Sequence, residues 1–256
     1  MTDFSARDLS HKYESRNGDG AHYSLRFVDL DYSHSEILCI VGPNGSGKST
    51  FLRLVAGLEQ PTAGSITFSG GLEFRPRVGL LLQDLGLFDW KTVEGNLNFG
   101  LICGGTPRPE RPAKIDQLVR QLGLEDHRRK YPQELSGGLR QRCAIGRALA
   151  YGAGLLLMDE PFSAIDPVGS AALVGLIQEL HATGIGLVVV MHDLETAILL
   201  ADRIVVFGGA EKTVRGETTV AIPRPRSLKD RFSPVFRQVF QSVEAMLPPG
   251  EDWSRG

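Results

Sequence analysis

Gly42-Pro-Asn-Gly-Ser-Gly-Lys-Ser-Thr50 decides the fold of this chain. The segment has the pattern G-x-x-x-x-G-K-[ST]. Gly42, Gly45 and Gly47, with Pro43, Asn44 and Ser46 between them, let backbone N–H groups turn inward around phosphate oxygens. The apolar run Ile37–Val41 before the loop reads as a buried strand. Lys48–Ala56 after it reads as a helix whose positive end points at the same anion. Lys48 can reach the terminal phosphates of a nucleotide. Ser49 offers a hydroxyl to Mg²⁺, a hard ion that prefers oxygen, and Thr50 completes the motif.

Outward from the loop, strand-length apolar runs alternate with helical patterns. Gly64–Ser69, Val78–Leu82, Gly154–Met158, Gly186–Met191 and Arg203–Phe207 read as strands, and Pro167–Ala182 and Leu194–Ala201 as helices. That alternation predicts an α/β core with a mostly parallel sheet. Tyr23, Leu25 and Phe27 alternate as in an early strand that buries one face. From about Thr92 to Ala150 the pattern is helical, broken by the Gly/Pro-rich loop Gly104–Pro112. This predicts a helical subdomain, residues 84–153, inserted into a core domain of residues 4–222. Residues 223–256 form a C-terminal segment. Ile222-Pro-Arg-Pro-Arg226 breaks regular structure. Val235, Phe236, Val239, Phe240, Val243 and Leu247 then recur at helical spacing, a stripe that fits packing on its own domain better than a partner site.

Gly154-Leu-Leu-Leu-Met-Asp-Glu-Pro161 is an apolar strand ending in two carboxylates. Ligands of open α/β sheets sit beyond the carboxyl ends of strands. Asp159 is placed to face a metal through water, and Glu160 to polarise a water attacking a γ-phosphate. A solvated Asp-Glu turn is the plain alternative, and the phosphate loop upstream weighs against it.

Lys and Arg number 28 and Asp and Glu 30, a net charge of −2. That balance gives no sign of a nucleic-acid partner, whose recognition rests on a basic surface. Cys39, Cys103 and Cys143 are scattered, without metal-ligand spacing, and fit a reducing compartment. No apolar run approaches the ~20 residues that span a bilayer, and the first residues carry no signal segment.

Leu135-Ser-Gly-Gly-Leu-Arg-Gln-Arg142 lies in the helical insert. Ser136 is a good N-cap, and Gly137 and Gly138 expose donors at a helix start, which makes a second anion site. The segment resembles the signature motif of ABC ATPases, and the resemblance spans about residues 5–247. It implies a P-loop NTPase core with an N-terminal antiparallel β subdomain and an inserted helical signature subdomain. It implies ATP and Mg²⁺ as cofactors and ATP hydrolysis as the activity. Gln83, in Leu81-Leu-Gln-Asp84, matches the Q-loop glutamine that contacts Mg²⁺ and the attacking water. Ser163-Ala-Ile-Asp166 matches the D-loop that meets a second ATPase subunit, and His192 matches the switch histidine at the γ-phosphate. Tyr13 matches the aromatic that stacks on adenine, with Tyr23 as rival. Leu139 stands where the family usually has Gln. Such chains work as a head-to-tail pair, with ATP between the phosphate loop of one and Ser136, Gly137 and Gly138 of the other.

Leu85-Gly-Leu-Phe-Asp-Trp-Lys-Thr92 resembles the segment that follows the Q-loop in importer ATPases for nitrate, sulfonates and taurine, with Asp89 in place of the usual Pro. There it docks on a transmembrane permease; the rival reading of Trp90 is a core aromatic. The resemblance implies a peripheral subunit on the cytoplasmic face of the inner or plasma membrane. It would serve uptake of a small solute such as a nitrate-, sulfonate- or taurine-like anion, with a solute-binding protein as indirect partner. A lipid-transport or export ATPase is the alternative. A soluble ABC ATPase acting on nucleic acid or ribosomes fits less well, since neither a long heptad insert nor a second ATPase domain is present.

Overall fold

Runs such as Ile37–Val41 and Leu155–Asp159 are apolar at every position because both faces of the sheet they form are covered. The computed structural model describes residues 3–14, 22–69, 76–163, 165–208, 211–224 and 226–247. Along the chain come β1 (Phe4–Tyr13), β2 (His22–Tyr32), β3 (Ile37–Val41), α1 (Lys48–Ala56), β4 (Ala63–Phe68), β5 (Val78–Leu81), α2 (Val93–Cys103), α3 (Arg111–Gln121) and α4 (Gly137–Tyr151). Then follow β6 (Leu155–Asp159), α5 (Pro167–Ala182), β7 (Gly186–Val190), α6 (Leu194–Leu200), β8 (Arg203–Gly208), β9 (Thr213–Thr219) and α7 (Pro234–Met246).

The main sheet has the order β5-β6-β7-β3-β8-β9, parallel except for β9. Side chains alternate between its faces. Ile37, Cys39 and Val41 join one core with Leu156, Met158, Leu187 and Val189, under the helices that include α4, α5 and α6. Leu38 and Ile40 join the other with Leu155, Leu157, Val188 and Val190, against α1 and the antiparallel sheet β2-β1-β4. The α/β class, the mostly parallel sheet and the N-terminal antiparallel sheet agree with the sequence reading.

Three details differ from it. The alternation Tyr23, Leu25, Phe27 puts Phe27 inside, yet Phe27 is 61% exposed. Its φ of 49° marks a bulge that inserts a residue and shifts the phase, so Leu25, Val28, Leu30 and Tyr32 are the buried set. The strands β1 and β9 have no clean period. The first carries register shifts on both its edges, and the second is a half-exposed edge strand. The loop Gly104–Pro112 is shorter than expected. A 3-10 turn at Arg108–Glu110 leads straight into α3, where Pro112 sits in the first turn and its missing N–H costs nothing.

In the C-terminal stripe Phe236, Val239, Val243 and Leu247 are buried in the same core as α6, whereas Val235 is exposed. The segment before α7 grips α6 from its far end. The buried Arg226 guanidinium donates to the carbonyls of Ile198 and Ala201, and also to those of Val220 and Ile222. Arg224 donates to Leu200 O at 3.0 Å and to Asp202 at 2.8 Å. These cations satisfy carbonyls at the helix's negative end. Of the C-terminal segment, Pro225 and residues 248–256 lie outside the described residues, as do residues 15–21 of the loop after Tyr13 and Ala164 of the Ser163–Asp166 turn.

Candidate nucleotide site

Parallel strands end on one edge, and four of them bring the predicted residues there in spatial order. The loop after β5 carries Gln83, β6 ends in Asp159 with Glu160 next, His192 follows β7, and the phosphate loop follows β3. Glu160 N–H donates to Val190 O at 2.9 Å and Met191 N–H to Ile40 O at 3.1 Å, so the ladder extends past the strand ends.

The loop Gly42–Thr50 is held in a shape that only glycine permits at two points. At Gly42, φ is 149° and a Cβ would lie 2.0 Å from Phe207 O; at Gly47, φ is 98° and a Cβ would lie 2.3 Å from Ser24 O. Asn44 and Gly45 form the exposed tip, and Ser46 is buried behind it. Helix α1 starts after Gly47 with no side-chain cap and no acidic residue in its first turn. Helices α2, α4, α5, α6 and α7 are capped by Thr92, Ser136, Asp166, Asp193 and Ser233. The bare amides of α1 suit phosphate oxygens. Lys48, 5% exposed, donates from Nζ to Gly42 O at 2.6 Å and Pro43 O at 2.9 Å.

Asp159 is buried at the strand end, and that burial raises its carboxyl above the ordinary range, opposed by a hydrogen bond from Ser49. A buried carboxylate beside a hydroxyl fits a hard dication, with Gln83 in the loop after the neighbouring strand β5. Glu160 adopts φ 50°, a left-handed conformation that costs a non-glycine residue about 1–2 kcal/mol. Its carbonyl accepts from Ser163 Oγ at 3.0 Å, and its Oε2 lies 3.7 Å from His192 Nδ1. Strain of this kind collects where geometry is functional. The chemistry the pair can do is to accept a proton from water and to face a charged phosphate.

Ser136 caps α4 by accepting from Leu139 N–H at 3.4 Å, leaving Gly137 and Gly138 as its first turn. Gly137 shares a cavity of about 420 Å³ with Gln83 and Glu160 of the same chain. Asp166 is committed to capping α5, accepting from Val168 and Gly169 N–H at 3.0 Å, which lowers its carboxyl. Tyr13 and Tyr23 are separated by their partners. Tyr13 donates to Glu59 at 2.7 Å and lies 3.4 Å from the Thr50 hydroxyl, beside the phosphate loop. The Tyr23 ring is covered by Lys12 and Arg26 at 4.4 and 4.6 Å.

Two contacts to this region carry no sequence signal. Lys212, at φ 58° in the turn before β9, donates from Nζ to Gly45 O across the phosphate-loop tip. Arg147 of α4 donates to Gly86 O at 2.5 Å and Leu85 O at 3.0 Å, tying the loop after Gln83 to the helix that starts at Gly137. Both are long-range pairs between a cation and backbone carbonyls, which no local pattern announces.

The profile described as ABC transporter matches residues 25–163. The nitrate import ATP-binding protein of Synechocystis sp. is 35% identical over 252 residues, covering 94% of this chain and 93% of its own. The taurine import ATP-binding protein of Roseobacter denitrificans is 37% identical over 80% of this chain and 78% of its own. The methionine import ATP-binding protein of Nocardia farcinica is 36% identical over 84% and 68%. A solved dimer of the ATP-binding cassette MJ0796 in a post-hydrolysis state, bound to ADP and Pi, superposes with a TM-score of 0.75 at 27% identity, covering 86% of this chain and all of the other. The chain therefore belongs to the ABC transporter family as an ATP-hydrolysing, ATP-binding subunit of the importer kind.

Proposed function

We propose that this chain energises the uptake of a small solute through a partner permease, from the cytoplasmic face of the membrane. The N–H groups of Gly42–Thr50 and Lys48 bind the phosphates of ATP, and Tyr13 stacks on the adenine. Mg²⁺, held by Ser49, Asp159 and Gln83, would neutralise phosphate charge. Glu160 takes a proton from the water whose oxygen attacks the γ-phosphorus, ADP leaves, and His192 steadies the phosphate oxygens. Two chains pair head to tail, Ser136, Gly137 and Gly138 of each facing the other's phosphate loop, with Asp166 near the seam. The dimeric cassette structure supports that pairing.

The observation that carries the transport reading is an exposed aromatic cluster next to the Gln83 loop. Trp90 is 73% exposed, against the core reading, and its ring lies 5.2 Å from Phe88, which lies 4.7 Å from Phe99. Exposed aromatics grouped in this way mark a protein interface. A permease docked there would feel each movement of the loop that Arg147 ties to α4. Nitrate-, taurine- and sulfonate-import proteins are similar to this chain at 35–37% identity, and a small anion of that kind is the proposed solute. Tagged protein pulled from detergent-solubilised native membranes tests this. Recovery of a multi-spanning permease with a solute-binding protein is expected, and the latter identifies the solute. Recovery of soluble or nucleic-acid partners alone would overturn the transport role.

A further inference from the structure

Gln141 lies on α4, one turn after Gly137, and is 4% exposed. Its Nε2 has no hydrogen-bond partner. Its neighbours Cys143, Ala144 and Ile145 belong to the apolar core, where a methionine of similar size would pack without an orphaned donor. Gln141 instead lines the cavity of about 420 Å³ shared with Gln83, Asp84, Gly137 and Glu160, with its Nε2 just beneath the surface. Helical spacing puts Gly137, Gln141, Ala144 and Ala148 on one face of α4, and that face runs along the loop after β5. The far half of the loop is already fastened, because Arg147 holds Leu85 and Gly86. Gln83 and Asp84 are exposed at the same cavity, and among the described residues neither side chain has a protein hydrogen-bond partner, so the segment is free to move towards Gln141. Buried amides without partners are rare enough to need a cause.

We infer that Gln141 is a positioning residue for hydrolysis: its amide hydrogen-bonds to the Gln83–Asp84 segment in the ATP-bound, hydrolysing state and sets Gln83 relative to Glu160. The signature helix would then fix both halves of the loop, Arg147 permanently and Gln141 only during turnover. This rests on the assignment of Gln83 and Glu160 to hydrolysis.

The test compares full-chain wild type with Gln141→Met, Gln141→Glu and Glu160→Gln. Gln141→Met should melt about 2–4 °C higher without nucleotide, since an idle buried donor is gone. Its kcat for ATP should fall about 10-fold with KM for ATP within about 2-fold, the mark of a contact made only after binding. Gln141→Glu, which sets a third carboxyl against Asp84 and Glu160, should fall further. Unchanged kcat in Gln141→Met, or a lower melting temperature with kcat and KM both altered, would overturn the inference and leave Gln141 a packing residue. Normal turnover by Glu160→Gln would instead overturn the hydrolytic assignment beneath it.

Discussion

At the scale of single residues, the strand-edge groups make separable contributions. Asp159 carries a carboxyl raised by burial. For a raised group, the stability it lends is full below its unfolded pKa of about 4 and is lost as pH rises through the folded value. Asp159→Asn should therefore melt above wild type at pH 7 without nucleotide, the gap closing towards pH 4, while ATP turnover falls at least ~100-fold for want of a metal ligand. Thermal unfolding at both pH values and a phosphate-release assay check the two halves. Glu160→Gln should keep ATP affinity, lower turnover by about 10²–10³, and accumulate as an ATP-bound dimer on size exclusion. Lys48→Ala should weaken nucleotide binding about 10-fold or more by calorimetry, as a buried cation on the phosphates is lost. Most of these residues were legible because each sits in a short local motif. Glu59, Arg147 and Lys212 were not, because each acts from far along the chain on a backbone carbonyl or a tyrosine hydroxyl.

At the scale of elements, legibility followed burial. Strands β3, β6 and β7 are covered on both faces and read as unbroken apolar runs, whereas the phase of β2 was misread because a bulge leaves no mark in a hydropathy pattern. The structure makes the difference measurable. Phe27→Ser should change unfolding free energy in urea by no more than about 0.5 kcal/mol, and Leu25→Ala should cost about 2–5 kcal/mol. Helix α6 starts at Leu194, two residues after His192, with Asp193 as its cap, and ends under Arg224 and Arg226. Arg226→Met removes the clamp but keeps the apolar stem. Carbonyls of Ile198, Ala201, Val220 and Ile222 lose their donor, and a loss of about 3 kcal/mol is expected by urea denaturation. The clamp joins the C-terminal segment to the helix that begins just after His192.

At the scale of the molecule, two cores on either side of one sheet leave few reactive surfaces inside. Cys39 and Cys143 are fully buried, and burial pushes the Cys143 thiol up to about 12 and that of Cys39 higher still. Cys103 is exposed and lines the recess under Phe88 and Phe99. A maleimide should thus label one of the three thiols in the native chain and all three in urea, and the permease-bound protein should be protected at Cys103. The same molecule-wide view gives meaning to the bare start of α1. Helices α2, α4, α5, α6 and α7 are finished by their own side chains, whereas α1 leaves its first amides for a phosphate. Amide hydrogens at Ser49 and Thr50 should exchange quickly with solvent in the empty protein and slowly when nucleotide is bound. Nucleotide at 100 times its dissociation constant adds about 2.7 kcal/mol to folding. The lifetime of this chain against cellular proteases should accordingly track the energy charge of the cell, so that starvation would thin the population of the subunit as well as idle it.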